Sequence, residues 1–416
     1  MQVMHICFLS YEFPPYPAGG IGTYVYRASR ALAQAGQRIT VIAGGNADTV
    51  CKPMEGVRVM RLRWEPAGRF LWQIGPLLRN LRKVSKLCRT LHREDPFHLI
   101  EAPEYQAEAY YLLPDRPAPV ITKLHTSGVF LWELESRARG KNPLKRLAAG
   151  LLIRLSLGRL EKRVIHQADK IHAPSLAISR VTQQMYGVNN GEIDHVPYPF
   201  YPSQLTADNP RDEDTVLYVG RLEVCKGVHL FARIIPAVLK EFPRTRFVFL
   251  GRDFPYKGEV SLSQWLRGKL GAQSRQCEFW GEVPYSRVWH SLRRAAVCVF
   301  PSLWENFPNV CLEAMDAQAC VVGSSRGGMA EMLVEGESGL LADPYRPETF
   351  AEKINLALAS PALRRRLGQA ARQRVYELYR PEVIIPRQLT AYQRAIRRFQ
   401  GAGGEPEQTV SAAGKL

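Results

Sequence analysis

Short apolar runs rich in β-branched residues alternate along this chain with longer stretches whose apolar positions recur every three or four residues. That alternation predicts βα units and parallel sheets. In the first half the strand-like runs are HICFLS (5–10), RITVIAG (38–44), VRVMRL (57–62), HLIEAP (98–103), VITKLHT (120–126) and KIHAPS (170–175), and EIDHVPYP (192–199) closes the series. Pro197, Pro199 and Pro202, then Asp208-Asn209-Pro210, form a turn-rich break that predicts an interdomain linker. The series restarts with TVLYVGR (215–221), RFVFLGR (246–252), CEFWGEV (277–283), VCVFPS (297–302), ACVVGSS (319–325) and GLLAD (339–343). Helical patterns lie between, for example Leu230–Phe242 and Pro284–Ala295, and a basic helical stretch spans Pro361–Arg398. The tail GAGGEPEQTVSAAGKL predicts disorder. The expected class is α/β, with two Rossmann-like doubly wound domains facing a cleft and ligands outside the carboxyl ends of the strands. No period of about 20–50 residues recurs, which excludes a solenoid.

Composition narrows this. With 416 residues, 46% of them hydrophobic, each half can bury a core of its own. The eight cysteines form no CxxC pair and no Cys/His cluster, against a zinc site or a disulfide framework and in keeping with a reducing cytosol. MQVMHICFLSYEFPP has no basic start and reads as a first strand, not as a signal peptide. No apolar run approaches the ~18 residues of a membrane span. The formal net charge is +17, and the excess sits mainly in residues 1–200, which hold 27 Lys and Arg against 16 Asp and Glu. Arg79–Arg93 carries six basic residues and no acid; Arg137–Arg163 carries nine and one acid, Glu161.

Chemistry concentrates at the expected strand ends. In SYEFPPYPAGGIGTYV, Gly19, Gly20 and Gly22 precede a helical pattern starting near Thr23. Glycines admit a ligand close to the backbone, and free N–H groups at a helix start favour phosphate; equally, such a loop can be a plain turn. It is not a dinucleotide GxGxxG fingerprint, and no acid follows at the required strand end, which removes a dinucleotide oxidoreductase. In VGRLEVCKG, Arg221 ends a strand and Lys226-Gly227 opens the next helix, placing two cations where a diphosphate could sit, or a solvated pair where none does. ENFPNVCLEAM sets Glu305 in a loop and Glu313 inside a helix that Pro308 helps start, so the two can reach different parts of one ligand. They are not the facing carboxylates of a glycosidase. GSSRGGMAE adds Gly327-Gly328 and Glu331 at one more strand end.

Taken together these elements resemble the GT-B glycosyltransferases of family four, across nearly the whole chain. That family carries a glycine pair after the first strand (Gly19-Gly20), G-R-L…K-G (Gly220-Arg221-Leu222…Lys226-Gly227), E-x7-E (Glu305…Glu313) and G-G-x-x-E (Gly327-Gly328…Glu331), in this order. The resemblance implies that Arg221 and Lys226 neutralise the donor diphosphate in place of a metal ion, with no DxD motif at a strand end and no cofactor. It implies that Glu313 binds the ribose hydroxyls and Glu305 the transferred sugar, that backbone N–H groups around the stretch Phe307-Pro308-Asn309-Val310, in which Pro308 itself carries none, help seat that sugar, and that Val283 in GEVPYS lies beside the base. His125 matches a histidine that faces the donor sugar, although a strand-end histidine can equally be structural. The implied domains are an acceptor-side unit over 1–200, a nucleotide-sugar unit over 201–383, and a helix over 384–400 crossing back; 401–416 is the tail. Many members read E-G-F-G where this chain has Glu305-Asn306-Phe307-Pro308, a departure at the position that seats the sugar.

The implied reaction retains anomeric configuration by front-face attack, from a UDP-, GDP- or ADP-sugar to a glycan or lipid-linked hydroxyl acceptor. In residues 142–167, Leu144, Leu147, Leu151, Leu155 and Ile165 can share one side, flanked by Lys145, Arg146, Arg154, Arg159, Lys162 and Arg163. That reads either as a basic amphipathic helix docking on an anionic inner membrane face, or as a core helix with a solvated basic face. Two other functions stay open here. A nucleotide-sugar 2-epimerase shares the fold and needs no acceptor. A nucleic-acid binder is suggested by charge alone and finds no motif or stacking array.

Overall fold

The computed structural model describes residues 3–16, 19–65, 74–140, 143–203, 211–257 and 260–401. The expected tail beyond Gly401 and the Asp208-Asn209-Pro210 turn lie outside these residues. The first sheet has β1 (His5–Ser10), β2 (Arg38–Gly45), β3 (Thr49–Met54), β4 (Val57–Arg63), β5 (Leu99–Pro103), β6 (Val120–Lys123), β7 (Lys170–Ala173) and β8 (Ile193–His195). Their order is β3-β4-β2-β1-β5-β6-β7-β8. Helices cover both faces, so β1, β5 and β6 are buried at every position and read as continuous apolar runs. β3 alone pairs antiparallel, on β4, and escaped the sequence pattern. Its TVCKPM is an exposed edge whose lysine and proline blunt further pairing.

The second sheet has β9 (Asp212–Val219), β10 (Arg246–Leu250), β13 (Cys277–Gly281), β14 (Ala295–Phe300), β15 (Cys320–Ser324) and β16 (Leu340–Ala342); a small hairpin, β11 (Pro255–Lys257) and β12 (Val260–Ser261), stands apart. The order β13-β10-β9-β14-β15-β16 is parallel throughout. The strands stay parallel, but the direction in which successive strands are added reverses between β9 and β14 here, and between β1 and β5 in the first sheet. Those are the topological switch points, where a crevice opens beyond the strand ends.

The structure refines three expectations. The proline-rich segment expected to link the domains is packed: Val196, Tyr198 and Phe200 are buried, and Phe200 N–H donates to Tyr379 O at 2.7 Å. One apolar core therefore runs from Ile6 and Leu32 through Tyr198 and Phe200 to Phe307, Tyr379 and Leu389. The helical stretch expected over Pro361–Arg398 divides into two helices, Pro361–Leu378 and Pro381–Gln400, because the proline at 381 disfavours helical geometry at Arg380. Residues 142–167, residue 142 lying outside the description, form Pro143–Ile153, a π-turn over Arg154–Gly158, and Arg159–Gln167. Helix Pro143–Ile153 buries none of its side chains, so it is no core helix. Leu144 and Leu147 are 77% and 72% exposed, whereas Ile165 turns into the core and leaves their side. Among the described residues no helix is long and apolar enough to cross a membrane.

Candidate active site

At the second sheet's switch point, the loops after β9 and β14 bring Lys226 to Glu305, Nζ to Oε1 at 2.6 Å; Ser302 Oγ donates to the same oxygen at 3.1 Å. Burial pulls the Lys226 pKa down, but the adjacent Glu305 outweighs it and raises it, so the ammonium stays charged. Gly227 makes this approach possible. It sits at φ +73°, and a Cβ there would lie 1.8 Å from Pro301 O. Leu303 N–H donates to Cys225 O at 2.9 Å, tying the two loops. Arg221, more than half exposed, pairs with Glu223 at 3.3 Å. Gly327 and Gly328 back the Glu305 loop closely, since a Cβ on either would fall 2.1 Å from Glu305 O or 1.7 Å from Asn306 O.

Pro308 caps helix Asn309–Asp316, whose first N–H groups have no partner within the helix and whose second turn carries Glu313. Phe307 is buried against the rings of Tyr198 and Tyr379. Val283 lies half-buried in the turn after β13, packed on the core, and Tyr285 nearby is within electrostatic reach of Glu313.

In the first domain Gly19 caps helix Gly20–Gln34 in extended geometry. A Cβ on Gly19 would meet the Glu12 carboxylate at 2.3 Å, whereas one on Gly20 would meet nothing within 4 Å. Gly20 therefore presents open backbone to a ligand, while Gly19 makes room for Glu12. Glu12 accepts from Gly22 N–H at 3.1 Å, and burial raises its pKa.

His125 follows β6 and is buried. Its N–H donates to both Glu104 oxygens, at 2.8 and 2.9 Å, and its Nδ1 lies 2.6 Å from Tyr198 Oη. Burial, with the Lys123 charge adding to it, takes the imidazole pKa down to about 3, so the ring is neutral. Burial pushes Glu104 up to about 8. Below the ring, Tyr24 and Tyr392 donate to the two oxygens of Glu101 at 2.6 and 2.7 Å, and Gln388 donates to Tyr24 Oη at 3.1 Å. Helix Pro381–Gln400 is thereby anchored in the first domain.

Three side chains, Arg27, Glu331 and Asn306, are among those that bond across the domains. Arg27 donates to Glu313 Oε1 at 2.9 Å and to Asn309 Oδ1 at 2.8 Å. Glu331 accepts from Leu176 N–H and Ala177 N–H at 2.8 and 2.7 Å, capping a first-domain helix. Asn306 donates to the carbonyls of Leu124 and His125 and accepts from Ser175 Oγ. Of the sites expected from sequence, Gly19, Gly20 and His125 thus lie on the first domain, and Arg221, Lys226, Val283, Glu305, Phe307–Val310 and Glu313 on the second, with Asn306 bonded to His125 O between them. Sequence reasoning missed Glu12, Arg27, Glu104 and Tyr198. Glu12 was within reach of it, lying in the same glycine loop; Tyr198 was hidden in a proline-rich break that suggested a linker. Among the described residues no cluster of His, Cys, Asp and Glu is arranged to hold a metal ion.

Residues 19–199 match the glycosyl transferase 4-like domain and residues 206–374 match the glycosyl transferases group 1 domain. The chain is 27% identical over 404 residues to a glycogen synthase of Mycobacterium tuberculosis, covering 89% of this chain and 90% of that protein. It is 25% identical over 390 residues to a D-inositol 3-phosphate glycosyltransferase of Xylanimonas cellulosilytica, covering 85% and 87%. Among solved structures, sucrose-phosphate synthase from Thermosynechococcus elongatus superposes with a TM-score of 0.73 at 24% identity, covering 94% of this chain and 98% of that one.

Proposed function

Because this chain belongs to the GT-B glycosyltransferases that join a 4-like domain to a group 1 domain, and so transfers sugar from a nucleotide-sugar donor, we propose that it is a retaining, metal-independent hexosyltransferase. The observation that carries the reading is the Lys226–Glu305 contact at the switch point, beside the start of helix Asn309–Asp316. In this reading residues 1–200 form the acceptor side and 201–383 the donor side, with 384–400 returning to the first domain.

Arg221 and Lys226 hold the diphosphate and meet the charge that grows on it as the glycosidic bond breaks, the task a metal ion performs elsewhere. The open backbone at Gly20, next to Gly19, approaches the same phosphates. Glu313 receives the ribose hydroxyls, Val283 flanks the base, and Glu305 orients the sugar with the N–H groups of Phe307, Asn309 and Val310 around Pro308. Neutral His125 adds no positive charge beside an oxocarbenium-like centre and is limited to hydrogen bonding. The acceptor hydroxyl attacks C1 on the face the diphosphate leaves, and its proton departs on the leaving phosphate. Orientation, exclusion of water and fixed positive charge are what the protein supplies. Screening UDP-, GDP- and ADP-sugars in EDTA, with detergent extract as acceptor, should give nucleoside diphosphate from one donor. Release from none, with no thermal stabilisation by any nucleotide, sinks the reading.

The acceptor we propose is a lipid-linked or polysaccharide intermediate, met at the inner face of a membrane, in surface polysaccharide assembly. What supports this is the exposed row Leu144, Leu147, Leu151, Leu152 and Leu155, with basic Arg146, Arg159 and Lys162 nearby. Each such cation adds about 1 kcal/mol near an anionic leaflet. The protein should co-sediment with anionic but not neutral vesicles, salt should weaken this, and Leu144→Glu with Leu147→Glu should abolish it while donor hydrolysis persists. Equal sedimentation with both vesicle types, or none, removes the docking.

A further inference from the structure

Asn306 stands between the sugar-orienting Glu305 and the buried Phe307, yet its side chain spends its hydrogen bonds on the other domain. Its Nδ2 donates to Leu124 O at 3.2 Å and to His125 O, and its Oδ1 accepts from Ser175 Oγ at 2.9 Å. The residue is buried and its backbone has no slack, because Gly328 lies against Asn306 O so closely that a methyl there would overlap it. The receiving side is equally fixed. Ser175 caps helix Leu176–Tyr186, and Glu331 of the second domain takes that helix's first two N–H groups. His125 N–H is held by Glu104 while His125 O is held by Asn306, so the peptide planes on both sides of this histidine are pinned. Glycine at 306 could make none of these bonds.

We propose that Asn306 is a positioning residue that latches the cleft shut before donor arrives, fixing the distance between His125 on one wall and the Lys226–Glu305 pair on the other. The inference rests on the transferase reading above. A latched cleft spares the donor the work of closing it. If closed molecules become a minority, apparent donor affinity falls by the closed fraction, while kcat, set in the closed complex, hardly moves. Two net hydrogen bonds lost correspond to about a tenfold shift.

The test compares wild type with Asn306→Gly, Asn306→Asp and Ser175→Ala by donor kinetics, by thermal melting and by small-angle scattering with and without saturating UDP, ADP or GDP. Asn306→Gly should raise donor KM about tenfold with kcat within about threefold, and should enlarge the radius of gyration in a way nucleotide reverses. The isosteric Asn306→Asp turns an acceptor toward two carbonyls, so the closed state itself is opposed and kcat falls too. Ser175→Ala leaves the Nδ2 bonds in place and should move KM by about threefold in the same direction, which keeps the proposal testable if a variant at 306 fails to fold. A lower melting temperature with KM, kcat and radius unchanged would show Asn306 to be structural only and overturn the proposal. A wild type that releases nucleoside diphosphate while all three variants match it overturns this inference alone. A wild type that turns over no donor overturns the transferase reading, and this one with it.

Discussion

Lys226→Ala lowers nucleoside diphosphate release by roughly 10²–10³-fold, in the range expected for loss of a preorganised charge at a developing anion, about 3–4 kcal/mol of barrier. The loss falls mainly in kcat, because the leaving diphosphate gains charge at the transition state and the ammonium is worth most there. Lys226→Arg does not restore it. A planar guanidinium cannot occupy the compact position 2.6 Å from Glu305 Oε1 without moving the loop. Glu305→Gln keeps an oxygen for Lys226 and Ser302 but loses the charge that favours the ammonium, and falls between wild type and Lys226→Ala. Steady-state kinetics on the donor chosen by the screen checks this. A Lys226→Ala enzyme within threefold of wild type would mean the diphosphate is held elsewhere.

Gly227→Ala should be the most damaging methyl in the second domain. The residue is left-handed at φ +73°, which costs an alanine about 1 kcal/mol, and its Cβ would sit 1.8 Å from Pro301 O. The obstacle is backbone, so the β14 loop must move and carry Ser302 and Glu305 with it. Strain of this kind adds up to roughly 3–5 kcal/mol and a melting temperature lower by on the order of 10 °C. Donor turnover should fall with it, since Lys226 and Glu305 separate. Gly20→Ala is the contrasting case: nothing lies within 4 Å of its Cβ, so melting is unchanged and only donor affinity falls. Thermal melts of the two variants side by side decide the matter, and near-identical melting would contradict the geometry at Gly227.

Parallel strands buried on both faces have to be written as unbroken apolar runs, and βα alternation repeats that signature, so most strands were legible to within a few residues. β3 was not, because an exposed edge strand with Lys52 and Pro53 needs no such pattern. The switch-point motifs were legible for a related reason. Close backbone approach demands glycine at Gly227, Gly327 and Gly328, and the charged partners Lys226 and Glu305 stand at the strand ends where ligands bind. Local constraints of this sort leave a mark at fixed spacing.

Contacts between the domains leave none. Arg27 meets Glu313 across 286 positions and Asn306 meets His125 across 181, and no periodicity links residues so far apart. For the same reason Asn306 reads in sequence as a departure from a glycine, and the proline-rich break around Tyr198 reads only as a linker until Phe307 is seen packed on Tyr198 and Tyr379 on Phe307. The fate of residues 142–167 also turned on tertiary packing, which took Ile165 into the core and left Leu144 and Leu147 in solvent. By itself the sequence determined two doubly wound sheets and which glycines and charged residues stand at their switch points, because burial and backbone approach are local demands on residue type. How the two walls face each other, and which side chains hold them there, only the folded chain decided, because those bonds depend on where distant loops meet.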